Sequence, residues 1–172
     1  RLILHLAGES WAFLGNASKA VGEYVWYRLT SGMGKPYRIR NAVLAYGRWI
    51  VGDTETAAVG NLDESTTAHF GEKTEWQFDA GLIYNGAKGG IVKSVELVGL
   101  SGRVNGNPSA FLSMTQDGET YSLERELTLA RERVQWRPMM RFRAWMGLRI
   151  RGHGGAFPGI AALEADIEPL AL

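Results

Sequence analysis

The sequence predicts an all-β protein, and three observations predict it. Charged residues alternate with apolar ones at period two in the best-patterned stretches, Thr74 to Tyr84 and Val134 to Arg151, which is the period of a half-buried strand. Glycine is abundant at 22, as are the aromatics at 6 Trp, 6 Tyr and 6 Phe. Long Ala/Leu/Glu/Lys runs are few, a composition that suits strands on tight turns. Helical periodicity is missing from the second half, so helix content is expected to be low.

Taken in order, the first third reads as short strands: Leu2 to Leu6, Trp11 to Leu14 and Val25 to Leu29, separated by Ala7-Gly8-Glu9 and by the polar stretch Gly15 to Lys19. A second set follows at Val43 to Tyr46, Trp49 to Val51 and Ala57 to Val59, with Gly47-Arg48-Trp49 echoing Gly8-Glu9-Ser10-Trp11. That rhythm resembles propeller blades. Asn61 to Gly71 is polar and acidic and reads as a linker, giving a blade-like segment over 1–65 and a second domain over 66–172. Longer strands are expected beyond it at Thr74 to Tyr84, Val92 to Leu100, Ala110 to Thr115, Thr120 to Leu123, Glu132 to Trp136, an arginine-rich pair and Ala162 to Ile167. That number of strands predicts a C-terminal antiparallel β-sandwich, jelly-roll-like. Asp117-Gly118 predicts a two-residue type I′ hairpin.

The formal net charge of +1 hides an uneven distribution. Residues 125–151 hold eight Arg against Glu126 and Glu132, a balance of +6, and the remainder carries −5. A local patch disfavours diffuse or sequence-specific nucleic-acid binding. Alternation sets Arg141 and Arg143 opposite Phe142 and Ala144, and Arg149 and Arg151 opposite Leu148 and Ile150. One face would enter a core while the other presents guanidinium groups to carboxylate partners. Glu164, Asp166 and Glu168 fall on one face of the last strand as a solvated row, or as an internal lattice if that row lies beside the arginines.

Catalytic signals are weak. Without cysteine there is no disulfide or thiolate metal site. His5, His69 and His153 are scattered, and no Gly-x-Ser-x-Gly elbow occurs. Gly81 to Gly89 lacks the Gly-Lys-Ser/Thr ending of a phosphate loop and reads as a glycine-rich hairpin tip. Gly152 to Gly155 reads as a loop. No catalytic, cofactor or metal residues are therefore assigned. No apolar run approaches the roughly 18 residues of a membrane helix. Arg1 opens within strand-like sequence, so a fragment of a longer chain is expected.

Asn41 to Asp53, Glu72 to Asn85, Phe111 to Tyr121, Arg133 to Arg143 and Gly147 to Gly152, in that order, resemble the C-terminal part of the packaged-DNA stabilisation protein of short-tailed bacteriophages. The resemblance implies a propeller-like body followed by a β-sandwich, in a non-enzymatic virion protein. It also implies a tail hub that plugs the portal, assembles as a homo-oligomeric ring and joins the portal or adaptor ring, needle and tailspike. Assembly would take place in the host cytoplasm. Arg141, Arg143, Arg149 and Arg151 are then the expected interface. The alternative is a carbohydrate-binding β-sandwich module associated with a glycosidase, which requires several of the six tryptophans exposed together.

Overall fold

The structure, a computed structural model, describes residues 2–32, 34–63, 66–100, 108–130, 133–153 and 159–170. It divides into two compact units, Arg1–Glu75 and Trp76–Leu172.

In the first unit β1 (Leu2–Leu6), β2 (Glu9–Phe13), β3 (Trp26–Gly32) and β4 (Lys35–Pro36) form a four-stranded antiparallel meander in sequence order. The polar separator between β2 and β3 is not a loop but the described residues' single helix, α1 (Gly15–Val21), closed by Gly22 in the left-handed region at φ 77°. A helix of seven residues lies below the length at which its periodicity can be read. β5 (Ile39–Ala45), β6 (Arg48–Asp53) and β7 (Val59–Asn61) form a second meander. β8 (Ala68–His69) and β9 (Glu72–Lys73) form a third pair.

The echo between Gly8 and Gly47 is a repeated turn. Leu6↔Glu9, Ala45↔Arg48 and His69↔Glu72 each close a two-residue loop, and both loop residues have positive φ: Ala7-Gly8, Tyr46-Gly47 and Phe70-Gly71. Positive φ at both positions is the type I′ turn, whose twist matches that of paired strands. The third of these lies in the stretch read as a linker. Phe70 packs there against the buried Tyr37, Ile39 and Val51, so this turn contributes to the unit's core.

The second unit is the predicted sandwich. One sheet contains β10 (Glu75–Asp79), β11 (Ile83–Tyr84), β13 (Ser109–Thr115), β14 (Arg125–Thr128) and β17 (Trp145–His153), in the order β10-β17-β13-β14 with β11 also on β17. The other is built on the long β12 (Gly90–Leu100). β18 (Gly159–Pro169) runs along one side of β12, while β15 (Val134–Trp136) and β16 (Met140–Phe142) divide the other. Pro138 has no amide to give the ladder and Met139 takes φ 51°, so the strand breaks there and its register slips by one residue.

Between the sheets lie Val92, Val95, Leu97, Ala110, Leu112, Met114, Trp136, Phe142, Met146, Leu148 and Ile150, all buried. As the alternation requires, Trp76 and Phe78 pack on this core while Glu75, Gln77 and Asp79 alternate with them. The Asn85–Lys88 turn that leads from one sheet to the other has Gly86 at φ 52° and Ala87 at φ 63°, with the Lys88 N–H bonded to the Asn85 carbonyl at 2.9 Å. It is a tight turn, as the glycines require, but not the expected hairpin tip, because β11 pairs with β17 and β12 belongs to the other sheet.

Three further local expectations fail. Gly152 and His153, read as the start of a loop, are the last residues of β17, and residues 154 and 155 lie outside the described residues. Thr120 to Leu123 is not a strand, and the partner of β13 is β14. Asp117 lacks positive φ, so Asp117-Gly118 is not a type I′ hairpin. Asp117 anchors a wider loop instead: its Oδ1 accepts the Glu119 and Thr120 amides at 2.9 and 2.7 Å and the Thr115 hydroxyl at 2.9 Å. Those bonds, the Thr120 amide first, hold its carboxyl well below the usual range.

Candidate functional site

The four arginines singled out in the sequence do not form one row. Arg141 lies on β16 and Arg149 and Arg151 on β17, strands that belong to different sheets, with Arg143 in the bend between them. On β17 the alternation holds, since Leu148, Ile150 and the glycine at 152 are buried and the arginines between them are not.

Those two arginines have internal partners. Arg149 binds Asp79 through two bonds, Nε–Oδ1 at 2.7 Å and Nη2–Oδ2 at 3.0 Å, and lies 3.7 Å above the Tyr121 ring. Arg151 grips Glu124 in the same way at 2.9 and 2.5 Å and lies 4.7 Å from the Phe111 ring centre. Paired forks of this kind fix geometry as well as charge. They tie the 116–124 loop to the outer face of the sheet, and the bond to Asp79 pushes the Arg149 guanidinium pKa above its ordinary value.

The acidic row Glu164, Asp166 and Glu168 is exposed on β18 and forms no ion pair with these four arginines among the described residues, although Glu168 and Arg141 both stand opposite Ile91 across β12. Glu168 pairs with Lys93 at 2.7 Å, and Glu96, opposite Glu164 in the register, pairs with Arg133 at 2.5 Å. A solvated strand face is what the structure shows.

Arg141 and Arg143 are different. Both are exposed, and among the described residues neither side chain meets a carboxylate. Their backbone is nonetheless held: the Gln116 amide donates to the Arg141 carbonyl at 3.2 Å and accepts the Arg143 N–H at 3.4 Å. Beside them opens a cleft of about 570 Å³ lined by Ser122, Leu123, Arg125, Pro138, Met139, Met140 and Arg141. Nothing in the alternation pattern marks this cleft, because its lining comes from a loop and a strand break.

The first unit holds a second polar constellation that the sequence reading missed. Arg38, nearly buried, donates to Asp53 from Nε at 2.7 Å and Nη2 at 2.5 Å, and its Nη1 lies 3.2 Å from Glu55 and 3.5 Å from Glu72. Asp53, itself fully buried, also accepts the Thr56 hydroxyl and the Glu55 and Thr56 amides. With the Arg38 bond first, these hold the Asp53 carboxyl far below its usual range. Ser31 accepts the Arg38 amide at 3.0 Å and lies 3.0 Å from His69 Nδ1. Burial, then the Arg38 charge, lowers the His69 pKa. The partners brace one another, and no cluster of metal-ligating side chains is found among the described residues.

Of the sandwich tryptophans, Trp136 is buried, and Trp76 and Trp145 are half-buried. Exposed tryptophans, Trp26 and Trp49, are confined to β3 and β6 of the first unit. In that unit β1, an edge strand of sequence LILHL, has all five residues exposed, and Val43, Leu44 and Trp49 are exposed on β5 and β6. No helix among the described residues is long and apolar enough to cross a membrane.

Blade-like antiparallel meanders followed by a two-sheet sandwich braced by paired charges define an all-β protein. Comparison with family models agrees: one described as bacteriophage P22 Gp10, β-sandwich, matches residues 75–168, and one described as bacteriophage P22 Gp10, β-propeller, matches residues 1–67. The chain belongs to this family of phage stabilisation proteins, structural components of the virion. A comparison with curated proteins finds no match.

Proposed function

We propose that this protein acts in the phage tail hub, closing the portal channel over packaged DNA without catalytic turnover. It would work as a homo-oligomeric ring, assembled in the host cytoplasm, that joins the portal or adaptor ring to needle and tailspike. The observation that carries the reading is the match, in order along the chain, of a phage stabilisation β-propeller model over residues 1–67 and a β-sandwich model over residues 75–168. Within the sandwich, Arg141 and Arg143 are exposed and meet no carboxylate among the described residues, whereas Arg149 and Arg151 are engaged with Asp79 and Glu124. Light scattering coupled to size-exclusion chromatography, on the full-length protein alone and with its portal complex, tests the proposal. Elution as one complex of defined stoichiometry is the expected result, and a monomer that ignores the portal overturns it.

A further inference from the structure

The arginines of the sandwich sort by place. Among the described residues, Arg133, Arg149 and Arg151 each meet a carboxylate. Arg125, Arg137, Arg141 and Arg143 are exposed and meet none. Arg125 and Arg141 line the cleft described above, and Arg137 and Arg143 flank its Pro138–Arg141 wall in sequence. Neighbouring carboxylates are turned elsewhere: Glu124 to Arg151, and Glu126 to the Ser109 hydroxyl.

Between these cations the surface is apolar. Leu123 is 91% exposed and Met139 64% exposed, and Pro138 and Met140 complete the wall. Met139 is held out by a left-handed backbone at φ 51°, a conformation that costs a side-chain-bearing residue free energy and that accompanies the break between β15 and β16. Methionine adapts its shape to an incoming side chain. The cleft is also steadied from below, since the Trp136 indole donates to the Arg125 carbonyl at 2.7 Å and Gln116 clasps the 141–143 backbone. Unpaired guanidiniums over a braced backbone, around an exposed apolar floor, are the composition of an interface centre.

We propose that this cleft receives a carboxylate-rich segment of another protein, with an apolar side chain seated between Leu123 and Met139 and carboxylates on Arg125 and Arg141. The proposal rests on the reading of the chain as an assembly component and names the chemistry of one partner. The floor argues against a phosphate backbone, which would leave Leu123 and Met139 unmatched. A second copy of this chain is a poorer complement: its acidic row on β18 already has Lys93 beside Glu168, and the nearby Glu96 is held by Arg133.

The test uses the full-length protein and a fluorescent synthetic peptide of alternating glutamate and leucine, followed by anisotropy at two salt concentrations. Binding that weakens with salt is expected. Arg125→Glu and Arg141→Glu should each lower affinity about tenfold or more, and Leu123→Ser with Met139→Ser should lower it similarly. Near-UV circular dichroism should show each variant folded. Three results overturn the proposal: unchanged affinity in the variants, equal binding of a glutamate–serine peptide, or displacement of the peptide by a thymidine oligonucleotide. Sedimentation showing self-association that Arg141→Glu abolishes would also overturn it, by assigning the cleft to a second copy. Protein that binds the peptide but is not built into particles refutes the hub reading and leaves the cleft assignment standing. Protein built into particles that fails to bind the peptide does the reverse.

Discussion

Replacing Gly152 by alanine is expected to destabilise the sandwich by about 2–4 kcal/mol. A Cβ at Gly152 would stand 2.1 Å from Trp76 Cζ2, 2.3 Å from Cε2 and 2.8 Å from Nε1, where ordinary contact begins at 3.4 Å. One side must therefore yield by more than an ångström. The strand cannot do so freely, because Gly152 is paired with Ala110 in the centre of its sheet. The indole is confined as well, lying within 11° of parallel to Phe78 with ring centres 6.1 Å apart and packed on the core. Inserting a methyl group into such a site ordinarily costs about 1–3 kcal/mol. Expelling the indole instead would return on the order of 100 Å² of apolar surface to water, about 2.5 kcal/mol at 25 cal/mol/Å². Guanidinium unfolding of the full chain, followed by near-UV circular dichroism, measures the change. In a Trp76→Leu background the same substitution should cost less than about 0.5 kcal/mol, since the clashing atoms are gone. A Gly152→Ala protein within about 0.5 kcal/mol of its parent, or an equal cost in both backgrounds, would refute the packing argument.

Three further outcomes follow from the same geometry. Ala7→Asn converts the first type I′ turn to Asn-Gly and should stabilise the first unit by about 0.5 kcal/mol, read as a raised urea midpoint; a lowered midpoint contradicts the turn assignment. Asp53 and Asp117 titrate below their ordinary range in the native state, so the unfolded chain takes up their protons first. Their stabilisation is complete above about pH 4 and is lost as pH falls toward their native values, while His69 adds a loss beginning near pH 6.5 because its native pKa is also lowered. Unfolding measured across pH in Asp53→Asn and His69→Asn should show a shallower slope in the matching window, and parent-like slopes refute the assignments. Arg149→Glu should lower sandwich stability by setting a like charge against Asp79, with recovery in the Arg149→Asp/Asp79→Arg exchange, whereas Arg141→Glu should leave stability unchanged; equal effects of the two reversals would show that the paired and unpaired arginines do not differ.

Period-two patterning was readable because burial on one face is a local property of a strand. It located β1, β12, β13 and β18 to within a few residues, and it placed Trp76 and Phe78 inside and Arg149 and Arg151 outside. What it could not carry was adjacency. Arg141 and Arg149 share an alternating stretch, yet the bend before Trp145 sends the chain from one sheet to the other, and strand order is decided by contacts distant in sequence. The partners of Arg149 and Arg151, Asp79 and Glu124, lie 70 and 27 residues away, so no window spanning one strand contains them. The same holds for Arg38, just before β5, whose brace reaches Asp53 on β6 and Glu72 on β9. Turn chemistry was half legible. Gly8 and Gly47 marked tight turns correctly because glycine tolerates positive φ, but Asp117-Gly118 has the right letters in a loop whose shape is set by what Asp117 binds. The cleft at Leu123 and Met139 is the extreme case. A leucine in a loop and a methionine after a proline carry no periodic signal at all, and only the break in the strand, which leaves β15 and β16 as two halves of one edge, brings them together beside arginines without internal partners. A surface made where the repeating pattern stops is invisible to a method that reads the pattern, and that is where contacts with other proteins of a structural assembly are free to form without disturbing the core.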